Sequence, residues 1–96
     1  MEQIIKAIEN CPAWGETADE ENPTAYMKFY NMLGRGEWFV IEMKVTDDDL
    51  LFFGYVKSPL GSDCDEFGTF TLSQLLEVPV IDLDTNFNPV PIMEVI

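Results

Sequence analysis

The sequence predicts an α+β fold, in which an antiparallel sheet of three to five strands packs with one or two short helices. Three segments at 24–32, 37–46 and 50–56 contain alternating or continuous apolar residues and are separated by short turns, as in antiparallel sheets. Residues 71–74 have the T-x-x-Q pattern of a helix capping box. A chain of 96 residues has room for one domain, 1–96, with one core.

The first elements follow from spacing and turn residues. Residues 2–10 carry isoleucines at helical spacing, which predicts a short amphipathic helix. This helix should end before Pro12, because the residue that precedes a proline is biased out of the helical region. A polar loop is predicted at 13–23. The glycine-bearing turn at 33–36 then joins the first two strands as a hairpin.

The second strand has the clearest alternation, and Asp47–Asp49 form the turn that follows it. The third strand is apolar on both faces, as is typical of a central strand. We therefore expect the three strands to form a meander whose apolar face packs against the helix that starts at the capping box. The residues expected to share this one core are Phe39, Ile41, Met43, Phe52, Leu72, Leu75 and Leu76.

The C-terminal part is predicted from its prolines and its apolar tail. A loop at 57–66 precedes the capped helix, which should run for about two turns to Glu77. Residues 80–83 are expected to form a fourth strand. The prolines at 86–91 favour an extended chain, and the tail 92–96 is apolar enough to dock onto the domain.

The charge of the chain is extreme for its size. Eighteen acidic residues face five basic ones and no histidine, which gives a formal net charge of -13, while 47% of the residues are hydrophobic. This composition predicts a compact domain with a negative surface, and a partner that is basic, neutral or a metal ion. Direct binding of nucleic acid or of a membrane is not expected, because both need clusters of basic residues.

The N-terminus resembles neither a signal peptide nor a membrane span, and the two cysteines match no metal or redox spacing. We therefore expect a cytoplasmic protein with reduced Cys11 and Cys64.

Most of the acidic residues fall in clusters along the chain. One hypothesis is that they imitate the phosphate backbone of duplex DNA, which carries one charge per ~1.7 Å, and so occupy the basic groove of a nuclease, restriction enzyme, CRISPR effector or repressor. The alternative is a solvated surface that keeps a small aromatic-rich adaptor protein soluble. The residues predicted to bind the partner are Glu16, Asp19, Glu20, Glu21, Asp47, Asp48, Asp49, Asp63, Asp65 and Glu66.

Enzymatic chemistry is poorly supported by the residue types. The serines and cysteines lack a histidine base, so we predict a protein without catalytic residues, cofactor or metal site. The runner-up is a small hydrolase or metal-binding accessory protein centred on Glu42 and Asp47–Asp49, whose oxygens suit Ca²⁺ or Mg²⁺. Glu42 lies mid-strand, where burial would raise its pKa. The simpler expectation for Glu42 is a cross-strand ion pair with Lys28.

Two segments resemble the domain of unknown function 2958 family: EWFVIEMKVTDDDLLFFGYV at 37–56 and EFGTFTLSQLLEV at 66–78. The family pattern combines an aromatic strand with a glutamate, an acidic turn, an FFG strand and a serine-containing helix start. Such proteins are uncharacterised and are often carried by plasmids, phages and conjugative elements, so the resemblance implies a mobile-element origin and little chemistry. The matching positions are Trp38, Glu42, Asp48, Phe52, Phe53, Gly54, Gly68, Phe70, Leu72, Ser73 and Leu75.

Overall fold

A computed structural model describes residue 6 and residues 8–96 of the chain. The predicted α+β class is confirmed, with strands, an α-helix at Leu72–Leu76 and two 3₁₀ turns (Ser62–Cys64 and Ile92–Glu94) in the described residues. Lys6 and Ile8 are helical, and the rest of the predicted helix up to residue 7 lies outside the described residues. The elements are β1 (Thr24–Ala25), β2 (Met27–Asn31), β3 (Glu37–Val45), β4 (Leu50–Lys57), β5 (Glu66–Thr71), α1 (Leu72–Leu76), β6 (Ile81–Leu83) and β7 (Val90–Pro91).

The main sheet of the described residues has five strands in the order β5-β4-β3-β2-β6, and every neighbouring pair is antiparallel. The predicted meander β2-β3-β4 is therefore confirmed. β6 matches the expected fourth strand, whereas β5 was not predicted and adds to the free edge of β4. β1 and β7 form a separate two-stranded sheet, which brings the C-terminal tail onto the domain. Ile92 of that tail is buried, as expected.

The sheet buries side chains on both faces, so the prediction of one shared core is wrong. Phe52, Leu72 and Leu75 belong to the face covered by α1, which we call the helix face. Phe39 and Ile41 belong to the opposite face, together with Tyr55 of β4 and Ile92 of the C-terminal tail. We call this side of the sheet the tail face. Leu76, which was also assigned to the core, is 53% exposed at the end of the helix.

A β-bulge in β3 explains the division. The register with β4 shifts between Val40 and Glu42, so that Ile41 is an extra residue in the pairing. Val40 and Met43 consequently pack toward the helix face, although strict alternation would place Met43 with Phe39 and Ile41. The same shift brings Glu42 opposite Phe53 on the tail face.

The capping box predicted for α1 is present. The Thr71 hydroxyl oxygen accepts a hydrogen bond from the Gln74 N–H at 3.2 Å, and the Gln74 side chain accepts one from the Thr71 N–H at 3.0 Å. The helix is nonetheless shorter than expected, because Glu77 is already its C-terminal cap.

Gly54 lies beside the bulge, where β4 passes very close to β3. A Cβ atom built on Gly54 would lie 1.7 Å from the carbonyl oxygen of Phe39, which is far inside van der Waals contact. Gly68, its partner in β5, has open space around the same position. The strand pairing beside the bulge therefore requires a residue without a side chain at position 54.

Gly54→Ala is expected to destabilise the fold by about 3 kcal/mol or more, because the added methyl group must push two paired backbones apart. Gly68→Ala is the matched control one strand away, and its free energy of unfolding should change by less than about 1 kcal/mol. Urea unfolding of both variants measures the difference. Equal stability of the two variants would show that the close approach at the bulge is wrong.

Candidate functional site

The acidic loop 14–23 is held on the sheet by the side chain of Glu42. This carboxylate is 5% exposed and accepts hydrogen bonds from the backbone N–H groups of Gly15 and Thr17, each at 2.8 Å. The Thr17 hydroxyl donates a further, short hydrogen bond to the same carboxylate. Gly15 has a φ of 88°, which is the left-handed region that favours glycine. The turn of the loop thus aims both N–H groups at one side chain.

Two expectations for Glu42 are wrong. Lys28 pairs with Glu37 at 2.7 Å and lies 3.9 Å from Asp84, because the register of β2 and β3 places it opposite Phe39, three residues before Glu42. Burial alone would raise the pKa of Glu42, but the hydrogen bonds from Thr17 and Gly15 outweigh it and lower the pKa below the ordinary value of 4.5. Glu42 is therefore an ionised anchor of the loop.

Two of the predicted acidic clusters are connected to β3: the acidic loop through its anchor on Glu42, and the turn at 47–49 through the chain itself. The Met43 N–H donates to the carbonyl of Pro12 at 3.0 Å, and Ala13 forms a β-bridge with Met43. Asp47 follows Met43 by four residues, a reach of at most about 14 Å along the chain. The start of the acidic loop is therefore attached to the half of β3 that leads to the turn at 47–49.

The third cluster lies at the other end of the sheet. Asp63, Asp65 and Glu66 follow β4, whose eight residues span roughly 26 Å from the turn at 47–49. The structure therefore does not bring all the predicted partner-binding residues onto one patch. We call the carboxylates of 16–21 and 47–49 the near group, because the first segment is attached to β3 through Glu42 and the second follows the same strand, and we call those of 63–66, beyond the end of β4, the far group.

Two of the ten predicted carboxylates have structural partners. Asp49 accepts hydrogen bonds from the Leu50 N–H at 2.8 Å and from the N–H and hydroxyl of Ser73 at 3.1 and 2.5 Å, which ties the turn after β3 to α1. Asp65 pairs with Arg35 at 2.5 Å and accepts from the Ser58 N–H at 2.7 Å. The hydrogen bond from the Ser73 hydroxyl and the one from Arg35 are the main causes that lower the pKa of Asp49 and Asp65, respectively.

The other eight carboxylates are exposed, and no residue of the described part forms a hydrogen bond or an ion pair with their side-chain oxygens. They keep their full charge toward solvent and are available to a partner. These residues are Glu16, Asp19, Glu20, Glu21, Asp47, Asp48, Asp63 and Glu66.

A cavity of about 370 Å³ lies between the acidic loop and the tail face of the sheet. Trp14, Phe53 and Phe67 form its aromatic wall. Glu20 and Glu21 line it from the loop, and Glu42 lines it from β3. The residue pattern did not predict this aromatic wall. The signal that could have located it is Trp14, a large apolar residue at the start of a strongly acidic loop.

The thiol of Cys11 is half-buried beside the anchor. Burial, and to a smaller extent the charge of Glu42, raise the pKa of the Cys11 thiol from 9.0 to about 12, so the nucleophilic thiolate is scarce at neutral pH. Within residues 6 and 8–96, no group of three or more cysteine, aspartate or glutamate side chains is placed to hold a metal ion. No helix in that same part of the chain is long and apolar enough to cross a membrane.

Comparison with known proteins identifies a family. The family model described as "Protein of unknown function (DUF2958)" matches residues 1–90. The chain belongs to this family. No curated protein and no solved structure shows significant similarity to the chain. The DUF2958 assignment confirms the resemblance carried by the FFG strand and by the helix start, and it assigns no activity to Glu42 or to the acidic loop.

Glu42→Gln should lower the free energy of unfolding by about 1–3 kcal/mol at neutral pH, because an amide NH₂ group would face the N–H donors of Gly15 and Thr17. Since the pKa of Glu42 is lower in the folded state than the ordinary 4.5, its carboxylate stabilises the fold above pH 4.5. That contribution is lost as the pH falls through 4.5 and below the folded-state pKa. The deficit of the variant should shrink over the same range.

Urea unfolding of both proteins from neutral to acidic pH measures this effect. Glu16→Gln is the control in the same loop, because the Glu16 side chain is exposed and has no partner in the described residues. Its stability should stay within about 0.5 kcal/mol of the wild type. A deficit of Glu42→Gln that does not depend on pH would contradict the ionised anchor.

Proposed function

We propose that this protein is a non-enzymatic inhibitor that binds a basic, nucleic-acid-binding host-defence protein through its carboxylates, in the manner of anti-restriction or anti-CRISPR inhibitors. In this proposal the protein comes from a phage or another mobile element and acts in the cytoplasm. Its direct partner is a protein, and neither nucleic acid nor a membrane is bound. The observation that carries the proposal is the near group of exposed acidic residues, whose loop is anchored on Glu42 of β3 and whose turn follows the same strand.

The near group has the properties that imitation of a phosphate backbone requires. Glu16, Asp19, Glu20, Glu21, Asp47 and Asp48 are all exposed, and they have no partner within the described chain. Their loop is bound to the sheet through Glu42, so its position is set before a partner arrives. A preorganised array loses less conformational entropy on binding than a disordered acidic tail would.

The ion pairs that basic residues form within the chain lie outside the near group. The chain has five lysines and arginines, and the ion pairs of Lys28 and Arg35 involve Glu37, Asp84 and Asp65, none of which belongs to the near group. Lys44 is exposed three residues before Asp47 and offsets one of these charges. The near group has six exposed carboxylates, so the potential there stays negative. Such a potential raises the association rate with a basic groove, and added salt screens it.

The runner-up function, a hydrolase or metal-binding accessory protein, depended on Glu42 and the Asp47–Asp49 turn. Both oxygens of Glu42 accept hydrogen bonds from the loop, and both oxygens of Asp49 accept hydrogen bonds at the start of α1 or from Leu50. The geometry of these two carboxylates is that of structural anchors. A plain adaptor, with charge that serves solubility alone, is the alternative that the next experiment separates from the proposal.

The double variant Asp47→Asn/Asp48→Asn removes two charges of the near group and leaves the structural Asp49 in place. Asp63→Asn/Glu66→Gln removes the same charge from the far group and serves as the matched control. The immobilised proteins are incubated with host lysate, and the captured proteins are eluted with salt or with duplex DNA. We expect capture by the wild type to fall at least about tenfold between about 50 and 200 mM salt, as for contacts with phosphates.

Duplex DNA should release the captured protein, and the near-group variant should capture less of it than the far-group variant. Equal capture by the two double variants, or capture that duplex DNA does not compete with, would show that the negative charge serves solubility alone. Both variants should unfold at the wild-type urea concentration or above it, because each relieves repulsion among like charges.

A further inference from the structure

We propose that the cavity between the acidic loop and the tail face binds the guanidinium group of an arginine side chain presented by the partner protein. This inference deepens the proposed function and rests on it for the source of the arginine. Three independent observations support this proposal. The cavity has an aromatic wall, it is lined by carboxylates, and none of the chain's lysine or arginine side chains lines it.

The aromatic wall is a row of three rings. Phe53 lies at its centre, with its ring centroid 6.4 Å from that of Trp14 and 6.3 Å from that of Phe67. The planes of Phe53 and Phe67 differ by 17°, whereas Trp14 meets Phe53 nearly at right angles. Trp14 is 41% exposed and Phe67 is 47% exposed, so two ring surfaces beside the cavity remain in contact with water. Covering them would be favourable for any ligand with a flat, weakly hydrated surface.

The charges around the cavity select a cation. Glu20 and Glu21 line it from the loop, and Glu42 adds a third carboxylate that its hydrogen bonds keep ionised. All five lysine and arginine side chains lie in the described part of the chain, and none of them lines this cavity. The lining thus combines three carboxylates with an aromatic wall and with no basic side chain of this chain, which favours a cation supplied from outside.

Arginine fits this combination better than a simple ammonium ion does. A guanidinium group is planar, stacks on aromatic faces and is more weakly hydrated than the ammonium of lysine. Its N–H groups can also donate two parallel hydrogen bonds to one carboxylate. The cavity volume of about 370 Å³ falls in the range of roughly 300–1,000 Å³ that is typical of ligand sites. Arginine is moreover the residue that nucleic-acid-binding grooves use most for phosphates and bases.

The test uses the full-length protein labelled with ¹⁵N and the soluble arginine derivative N-acetyl-arginine methylamide. The indole N–H signals of Trp14 and Trp38 report on two different sites, because Trp38 packs on the helix face. We expect a saturable shift of the Trp14 signal and no shift of the Trp38 signal. The corresponding citrulline derivative has nearly the same shape without the charge, and it should bind at least about tenfold more weakly.

Two double variants with the same change in net charge separate the site from the overall field. Glu20→Gln/Glu21→Gln should weaken binding of the arginine derivative by about tenfold. Asp63→Asn/Glu77→Gln, at two exposed positions outside the cavity lining, should leave binding within about twofold of the wild type. All four side chains are exposed, so both variants should fold, and circular dichroism verifies this. Phe67→Leu keeps an apolar side chain but removes one ring, and it should also weaken binding.

Equal shifts with arginine and citrulline derivatives, or equal loss in the two double variants, would overturn the assignment. Tighter binding of the lysine derivative or of tetramethylammonium would reassign the cavity to an ammonium ligand and would contradict the choice of arginine. This titration contains no partner protein, so its result is separate from the capture experiment. If capture depends on Asp47 and Asp48 but the Trp14 signal does not shift, arginine binding in the cavity is refuted and the proposed function is retained.

Discussion

The hydrogen bonds to the Glu42 carboxylate connect the acidic loop to the sheet, and the arrangement of the candidate site depends on them. One buried side chain accepts from Gly15 and twice from Thr17, so a loop with four acidic residues is held close to strands that carry aromatic rings. These hydrogen bonds hold Gly15 and Thr17 beside Phe53, where they form one side of the cavity. A single negative charge, placed inside the protein, thereby positions the negative charges outside it.

That anchor in turn depends on the bulge in β3. Regular alternation would put Glu42 on the same face as Val40, beneath the helix, where it would be far from the loop. The extra residue, Ile41, turns Glu42 to the tail face beside Phe53, and Gly54 lets the neighbouring strand come close to the distorted segment. The bulge therefore separates the two halves of the core and also creates the place where the loop attaches.

The sequence predicted where the strands and the helix lie better than it predicted on which face of the sheet each side chain lies. Alternation located β2, β3 and β4, and the T-x-x-Q pattern located the start of α1, because both signals are local. The bulge has no local signal in a strand of nine residues rich in apolar side chains, so Met43 and Glu42 were assigned to the wrong faces. β5 was missed because Gly68 and exposed residues interrupt its apolar pattern.

The candidate site was predicted only in part, because it depends on contacts between residues that are far apart in the sequence. Acidic clusters are visible in the residue order, whereas the partners of Asp49 and Asp65 lie 24 and 30 residues away in the chain. The aromatic wall needs Trp14, Phe53 and Phe67 to converge from three separate segments, and only the tertiary structure brings them together. The pairing of Lys28 with Glu37 likewise depends on a strand register that residue types alone do not specify.

The position of β5 at the edge of the sheet gives the net charge a second consequence. Within the described residues β5 pairs with β4 alone, and the outer side of such a strand is a template on which another strand can add. Two copies that approach edge to edge each carry a charge of -13, and their mutual repulsion opposes this form of aggregation. The range of that repulsion falls from about 30 Å at 0.01 M salt to about 3 Å at 1 M. Ionic strength should therefore control how readily two molecules pair through β5, although the backbone groups at this edge carry no charge themselves.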